Sequence, residues 1–180
     1  MTKRVIIMRG VPGSGKSTTA RWLAEICGGP TCEFWNENCV LKYGNPSLYV
    51  KAAQSALMGM QVSDLNHPHE SLVAAAIHST DNYFIEPNGN YVFNASMLFV
   101  NHSKNFNAFV NSLQKEVPLV IVDNTNTTEK EYKGYVECAH AHGYLVSFHV
   151  MPHPTPEEAF MRNNHGVPLE TIKAMITRFQ

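Results

Sequence analysis

Charge is scarce in this chain. Only 16% of its 180 residues are Asp, Glu, Lys or Arg, and the two signs nearly cancel at a formal net charge of −1. A protein that grips long nucleic acid by releasing counterions from many phosphates needs a cationic excess, so that class is excluded; a short or terminal nucleic-acid substrate is not. Cysteine is sparse too. Cys27, Cys32, Cys39 and Cys138 form no CxxC pair, and neither they nor His67-Pro68-His69-Glu70 have a zinc-ligand spacing, which fits ordinary thiols in a reducing compartment. No run of about 18 apolar residues is present, so no membrane-spanning helix is expected. Internal repeats and low-complexity stretches are also missing. The amino terminus, MTKRVIIMRG, has the pattern of a short strand rather than a secretory leader, and an intracellular protein, cytoplasmic or nuclear, is expected.

What is there alternates. Apolar runs at Val5–Met8, Ser71–Thr80, Leu119–Val122 and Leu145–Met151 have the character of buried parallel strands. Between them, helical spacing predicts helices over Ser17–Cys27, Leu48–Met60, Ala95–Lys115, Thr128–His142, Pro156–Asn163 and Pro168–Phe179. In the third of these, Phe99, Phe106, Phe109, Val110 and Leu113 are expected to face the core. The pattern predicts one α/β domain over residues 1–180, with about four parallel strands and right-handed crossovers. Residues 31–70 are long for a connection and are expected to form an insertion within that domain, able to dock a protein partner.

The strongest motif is Gly10-Val11-Pro12-Gly13-Ser14-Gly15-Lys16-Ser17, which fits G-x-x-x-x-G-K-[ST] directly between a strand and a helix. Glycines let the backbone turn its N–H groups inward on phosphate oxygens, and the following helix adds its positive end. Gly10, Pro12, Gly13, Ser14, Gly15, Lys16, Ser17 and Thr18 are therefore the candidate ATP-binding residues. Lys16 is expected to reach the β- and γ-phosphates, and the Ser17 hydroxyl to serve Mg²⁺.

In open parallel sheets ligands gather at the carboxyl ends of strands. Two acids stand there. Asp123, in LVIVDNTN, is placed to hold Mg²⁺ through water or to accept from Ser17, or else to make an Asx turn; Asn124 and Asn126 are expected to shape its loop and line the site. Asp81, in AIHSTDNYF, either caps a turn or is the carboxylate that orients an acceptor hydroxyl and takes its proton. Arg162, in FMRNNHGVP, is either a solvated helix residue or a lid cation. His102, on the long helix, is expected to be a helix-surface or cap-contacting residue.

In order, RGVPGSGKST, STDNYF, IVDNTN, RNNHGVP and IKAMITR resemble the P-loop kinases related to polynucleotide 5′-hydroxyl kinase, including the NEDD4-binding-protein-2-like branch. The resemblance covers nearly the whole chain apart from residues 31–70. It implies a P-loop NTPase fold, ATP with Mg²⁺, Lys16 and Ser17 at the phosphates, Asp81 as general base and Arg162 as the lid arginine. Polynucleotide kinases often carry an arginine before the basic aspartate, where this chain has Thr80. The expected activity is phosphoryl transfer from ATP to a hydroxyl, with the 5′-hydroxyl end of RNA or DNA as acceptor. Two alternatives are a kinase of a nucleoside or other small-molecule hydroxyl, and a nucleotide-dependent interaction module without real turnover. A longer parent protein with further domains is compatible with the chain.

Overall fold

A computed structural model describes residues 3–26, 31–32, 41–42 and 75–179. The chain order is β1 (Arg4–Arg9), α1 (Lys16–Ile26), β2 (Thr31–Cys32), β3 (Leu41–Lys42), β4 (Ala75–His78), α2 (Leu98–Gln114), β5 (Leu119–Val122), α3 (Glu129–Ala141), β6 (Leu145–Val150), α4 (Pro156–Arg162) and α5 (Leu169–Thr177). A short 3-10 helix, Thr80–Phe84, follows β4 directly, and another, Ala95–Met97, leads into α2.

The sheet order is β3-β2-β4-β5-β1-β6. The four longer strands run parallel, and β2 adds to them in the same sense beside β4, while β3 pairs antiparallel at the edge. Thus residues 31–32 and 41–42 of the expected insertion extend the sheet; its remaining residues, the expected helix Leu48–Met60 and Cys27 and Cys39 lie outside the described residues.

Side-chain alternation along each strand divides the core. Val5, Ile7, Ala76, Val120 and Val122 face α2 and α3, where they meet Phe109, Leu113, Tyr135 and Ala139. Met8, Ala75, Ile77, Leu119 and Ile121 face α1 through Ala20 and Ala24. A smaller cluster, Val11, Ala159 and Ile172, seats α4 and α5 against the phosphate loop. The expected β4 is shorter than Ser71–Thr80, since Thr80 already belongs to the 3-10 helix.

One expectation fails instructively. The buried stripe of α2 includes Asn101, Asn105 and Ser112 beside Ala108, Phe109 and Leu113, whereas Phe99 is 82% exposed. The buried polar groups have partners that turn the helix: Asn101 Nδ2 donates to Tyr83 O, Asn105 Nδ2 to the Tyr135 hydroxyl, and Ser112 Oγ lies 2.9 Å from His78 Nε2. Apolar spacing alone does not see such pairings.

Registration places the working residues. Ile7 pairs with Val122 and Phe148, and Val122 with His78, so β1, β4, β5 and β6 end at one edge of the sheet. Gly10, Asp81 and Asp123 follow those ends.

Candidate active site

A cleft of about 1520 Å³ opens at that edge, walled by the phosphate loop, the 3-10 helix, α2, the loop after β5 and the chain between α4 and α5. Of the phosphate-loop residues, Pro12, Gly13, Gly15, Lys16, Ser17 and Thr18 are on its wall. Gly10 and Ser14 are behind it: Gly10 N donates to Thr125 O at 2.9 Å, and Ser14 Oγ is buried without a hydrogen-bond partner. Gly13 has φ +77°, and a Cβ there would overlap the carbonyl of Ala159 in α4. Only glycine allows both that backbone angle and that approach.

Lys16 is 9% exposed, and its Nζ donates to the Val11 carbonyl at 2.9 Å. Burial lowers its pKa, while the charges of Asp123 and Asp81 pull the other way. Asp123, 5% exposed, is shifted upward by burial and held back by a hydrogen bond from Ser17 and by the Lys16 charge. Its Oδ1 is buried with no hydrogen-bond partner. An unpartnered buried carboxylate oxygen beside a hydroxyl is a hard-oxygen donor set suited to Mg²⁺ and its waters. Ser17 and Asp123 therefore fit that ion.

The second acid is built differently. Asp81 is half-buried in the first turn of the 3-10 helix, whose N-cap, Ser79, makes no side-chain cap bond. The Asp81 carboxylate faces outward across the chain: Tyr91 Oη donates to Oδ1 at 3.2 Å, and His165 Nε2 is 3.6 Å from Oδ2. The cap alternative thus does not describe it. Burial, then the Asp81 charge and hydrogen bond, raise the Tyr91 pKa, so its hydroxyl stays a donor. Tyr91 is positioned by the turn over residues 86–90, closed by Glu86 N to Asn90 O at 2.8 Å, with an Ile85–Tyr91 bridge.

Thr80 locks this turn to its neighbours. Its N–H donates to Asn124 Oδ1 at 2.9 Å, and its hydroxyl is 3.1 Å from His102 Nδ1. Burial lowers the His102 pKa against the charges of Glu131 and Asp81. Asn124 also donates to the Tyr135 hydroxyl, at 3.4 Å, and Asn126, in the left-handed region at φ 47°, donates to Met8 O at 2.8 Å. Both asparagines therefore shape the loop and line the cleft.

Arg162 ends α4 on the cleft wall, its side chain 62% exposed and 3.8 Å from Glu158 one turn earlier. α4 starts on a full capping box, with Thr155 and Glu158 bonding each other's backbone N–H. The structure thus brings Lys16, Ser17, Asp123, Asp81 and Arg162 to one cleft. Sequence reasoning missed Tyr91, His165 and Arg178. Arg178 lines the same cleft and donates to Thr127 Oγ1 at 3.1 Å. His165 had a visible signal, since it stands three residues past Arg162 in the same RNNHGVP motif; Tyr91 had none beyond lying past a turn.

An AAA domain family profile matches residues 5–180. NEDD4-binding protein 2 from Homo sapiens is 30% identical over 182 residues, covering 98% of this chain and 8% of that protein. The chain therefore spans a small part of that relative's length. A chain in a Pnkp1/Rnl/Hen1 RNA repair complex aligns with a TM-score of 0.59 at 14% identity, covering 99% of this chain and 44% of that one. Kti12 from Chaetomium thermophilum, in complex with ADP-AlF3, aligns at 0.51 and 11% identity over 98% of this chain and 80% of that one. Both likenesses are of fold.

Proposed function

The chain belongs to the AAA domain family, and from that premise we propose that it is a P-loop kinase that moves the γ-phosphate of ATP to a hydroxyl, with the 5′-hydroxyl end of RNA or DNA as acceptor. The observation that carries this reading is the pair of separate acids in one cleft. Asp123 is engaged with Ser17 and Lys16, whereas among the described residues Asp81 has a tyrosine hydroxyl and a histidine as its hydrogen-bond and ion-pair contacts. Hydrolysis of ATP requires one site for metal and water; transfer to an alcohol also requires a group that aligns the alcohol and receives its proton.

In the proposed reaction, the phosphate loop fixes the β- and γ-phosphates, and Lys16 offsets their charge. Ser17 and, through water, Asp123 would hold Mg²⁺, which would supply further neutralisation of phosphate charge. The acceptor hydroxyl approaches Asp81 opposite the bond to the β-phosphate. As the new O–P bond forms, the bridging O–P bond to ADP breaks, and the hydroxyl proton passes to an Asp81 oxygen. Arg162, on the lid, stabilises the phosphoryl oxygens in transit.

Labelled ATP offered with a panel of 5′-hydroxyl oligonucleotides and small alcohols tests this reading. The expected result is labelled oligonucleotide from the unchanged protein, and none from Asp81→Ala, which still binds ATP with unaltered affinity. Transfer retained by Asp81→Ala would remove the base role. Label on the small alcohols alone would move the acceptor to that class, and ATP binding with no acceptor-dependent turnover would favour an interaction module.

A further inference from the structure

Large aromatic side chains are normally buried, yet several here stand open at the acceptor end of the cleft. His165, Tyr91, Phe84 and Phe93 form a file of rings with successive centroid separations of 4.3, 6.0 and 5.1 Å. The file starts at the Asp81 carboxylate, through the Tyr91 hydroxyl at 3.2 Å, and ends at Phe93, 54% exposed. Phe84 lies beneath as the buried support. Phe99, on the same cleft wall, is one helical turn before His102, the residue that contacts Thr80 next to Asp81.

We propose that Tyr91, Phe93 and Phe99 form a base-stacking subsite, so that the acceptor is the unpaired terminal nucleotide of a nucleic acid, held by its base while its 5′-hydroxyl meets Asp81. The inference rests on the kinase reading above and narrows it. Three observations select a nucleobase. Tyr91 belongs both to the ring file and to the Asp81 hydrogen bond, so a ring resting on the file is delivered to the carboxylate. Among the described residues, the cleft wall contributed by residues 80–107 contains no lysine or arginine, so that side holds its ligand without ion pairs to phosphate. The polar groups beside Asp81 are engaged with one another, Thr80 with Asn124 and His102, which suits a flat ring better than a hydroxyl-rich sugar. Stacking accepts every base, because each has a π-face, and a base held in a duplex end has one face already covered.

The test uses the whole chain with three single-stranded 5′-hydroxyl oligonucleotides: natural, abasic at the first nucleotide, and carrying 2-aminopurine there. In the unchanged protein the abasic substrate should show a KM about tenfold above the natural one, and the 2-aminopurine emission should be quenched on binding. Phe93→Ala and Phe99→Ala should each raise the KM for the natural oligonucleotide by a similar factor, leave the abasic KM where it was, and keep the KM for ATP, which also shows that the variants fold. Equal KM values for natural and abasic ends, or no quenching, overturn the subsite. Quenching without phosphoryl transfer leaves the subsite standing and removes the kinase reading instead.

Discussion

The two halves of the cleft are made on opposite terms. The nucleotide half hangs from the strand ends themselves: Lys16 and Asp123 are almost wholly buried, and the phosphate loop packs through Val11 on Ala159 and Ile172. The acceptor half is a 3-10 turn, a tight hairpin and the lid, with a half-exposed Asp81 and open phenylalanines. Phosphates are the same in every nucleotide, so their cradle gains from rigid burial that removes water and fixes dipoles. In the proposed reaction the acceptor side would have to admit a second ligand, and it is built from segments with less core behind them.

If the halves differ in this way, damage to each should be read by different measurements. After the loss of transfer expected of Asp81→Ala comes the lid: Arg162→Ala should lower the single-turnover rate of transfer on the order of 10³-fold, with no change in Tm, because its side chain is exposed and lies 3.8 Å from the likewise open Glu158. A matching fall in Tm would show that the lid carries stability after all. Next comes Gly13→Ala, which forces a side chain into positive φ and against the Ala159 carbonyl. It should cost about 2 kcal/mol in denaturant unfolding and weaken ATP binding measured by calorimetry.

The smallest effect sharpens the contrast through pH. His78 sits behind the acceptor turn, 2% exposed, edge-on to Phe109, and burial pulls its pKa down to about 3. The unfolded chain takes up this proton near pH 6.5 and the folded chain does not, so stability is full above that pH and falls on acidification toward pH 3. Between pH 6.5 and 5.5 the loss should be about 1 kcal/mol, read from the midpoint of urea unfolding. A flat profile across that interval would mean that His78 is protonated in place.

The nucleotide half was nearly all legible in the sequence, and the acceptor half only in part. The phosphate loop, Leu119–Val122 with Asp123 after it, and the helix that starts after Thr128 and stops before Gly143 depend on neighbours within a few residues, which a linear pattern records. Asp81 was legible as a strand-end acid, but not its partners: Tyr91 reaches it by a reversal of the chain, and His165 from across the cleft. Phe99 was read as core because its spacing matches Phe106 and Phe109. Asn101, Asn105 and Ser112 turned the helix through hydrogen bonds to residues 18 to 34 positions away, which periodicity cannot register.

The hydrogen bond from Lys16 to the Val11 carbonyl sets what the loop can discriminate. The ammonium has an acceptor within its own loop, so any incoming oxygen must win it by exchange. A neutral oxygen offers no more than the carbonyl it displaces, and the exchange is close to even. An anionic phosphoryl oxygen makes the stronger, charge-assisted bond and also answers an ammonium that is shielded from water. In the proposed reaction the loop would thereby compare charge, favouring the anionic oxygens of polyphosphate over the neutral oxygens of an alcohol in the same cleft.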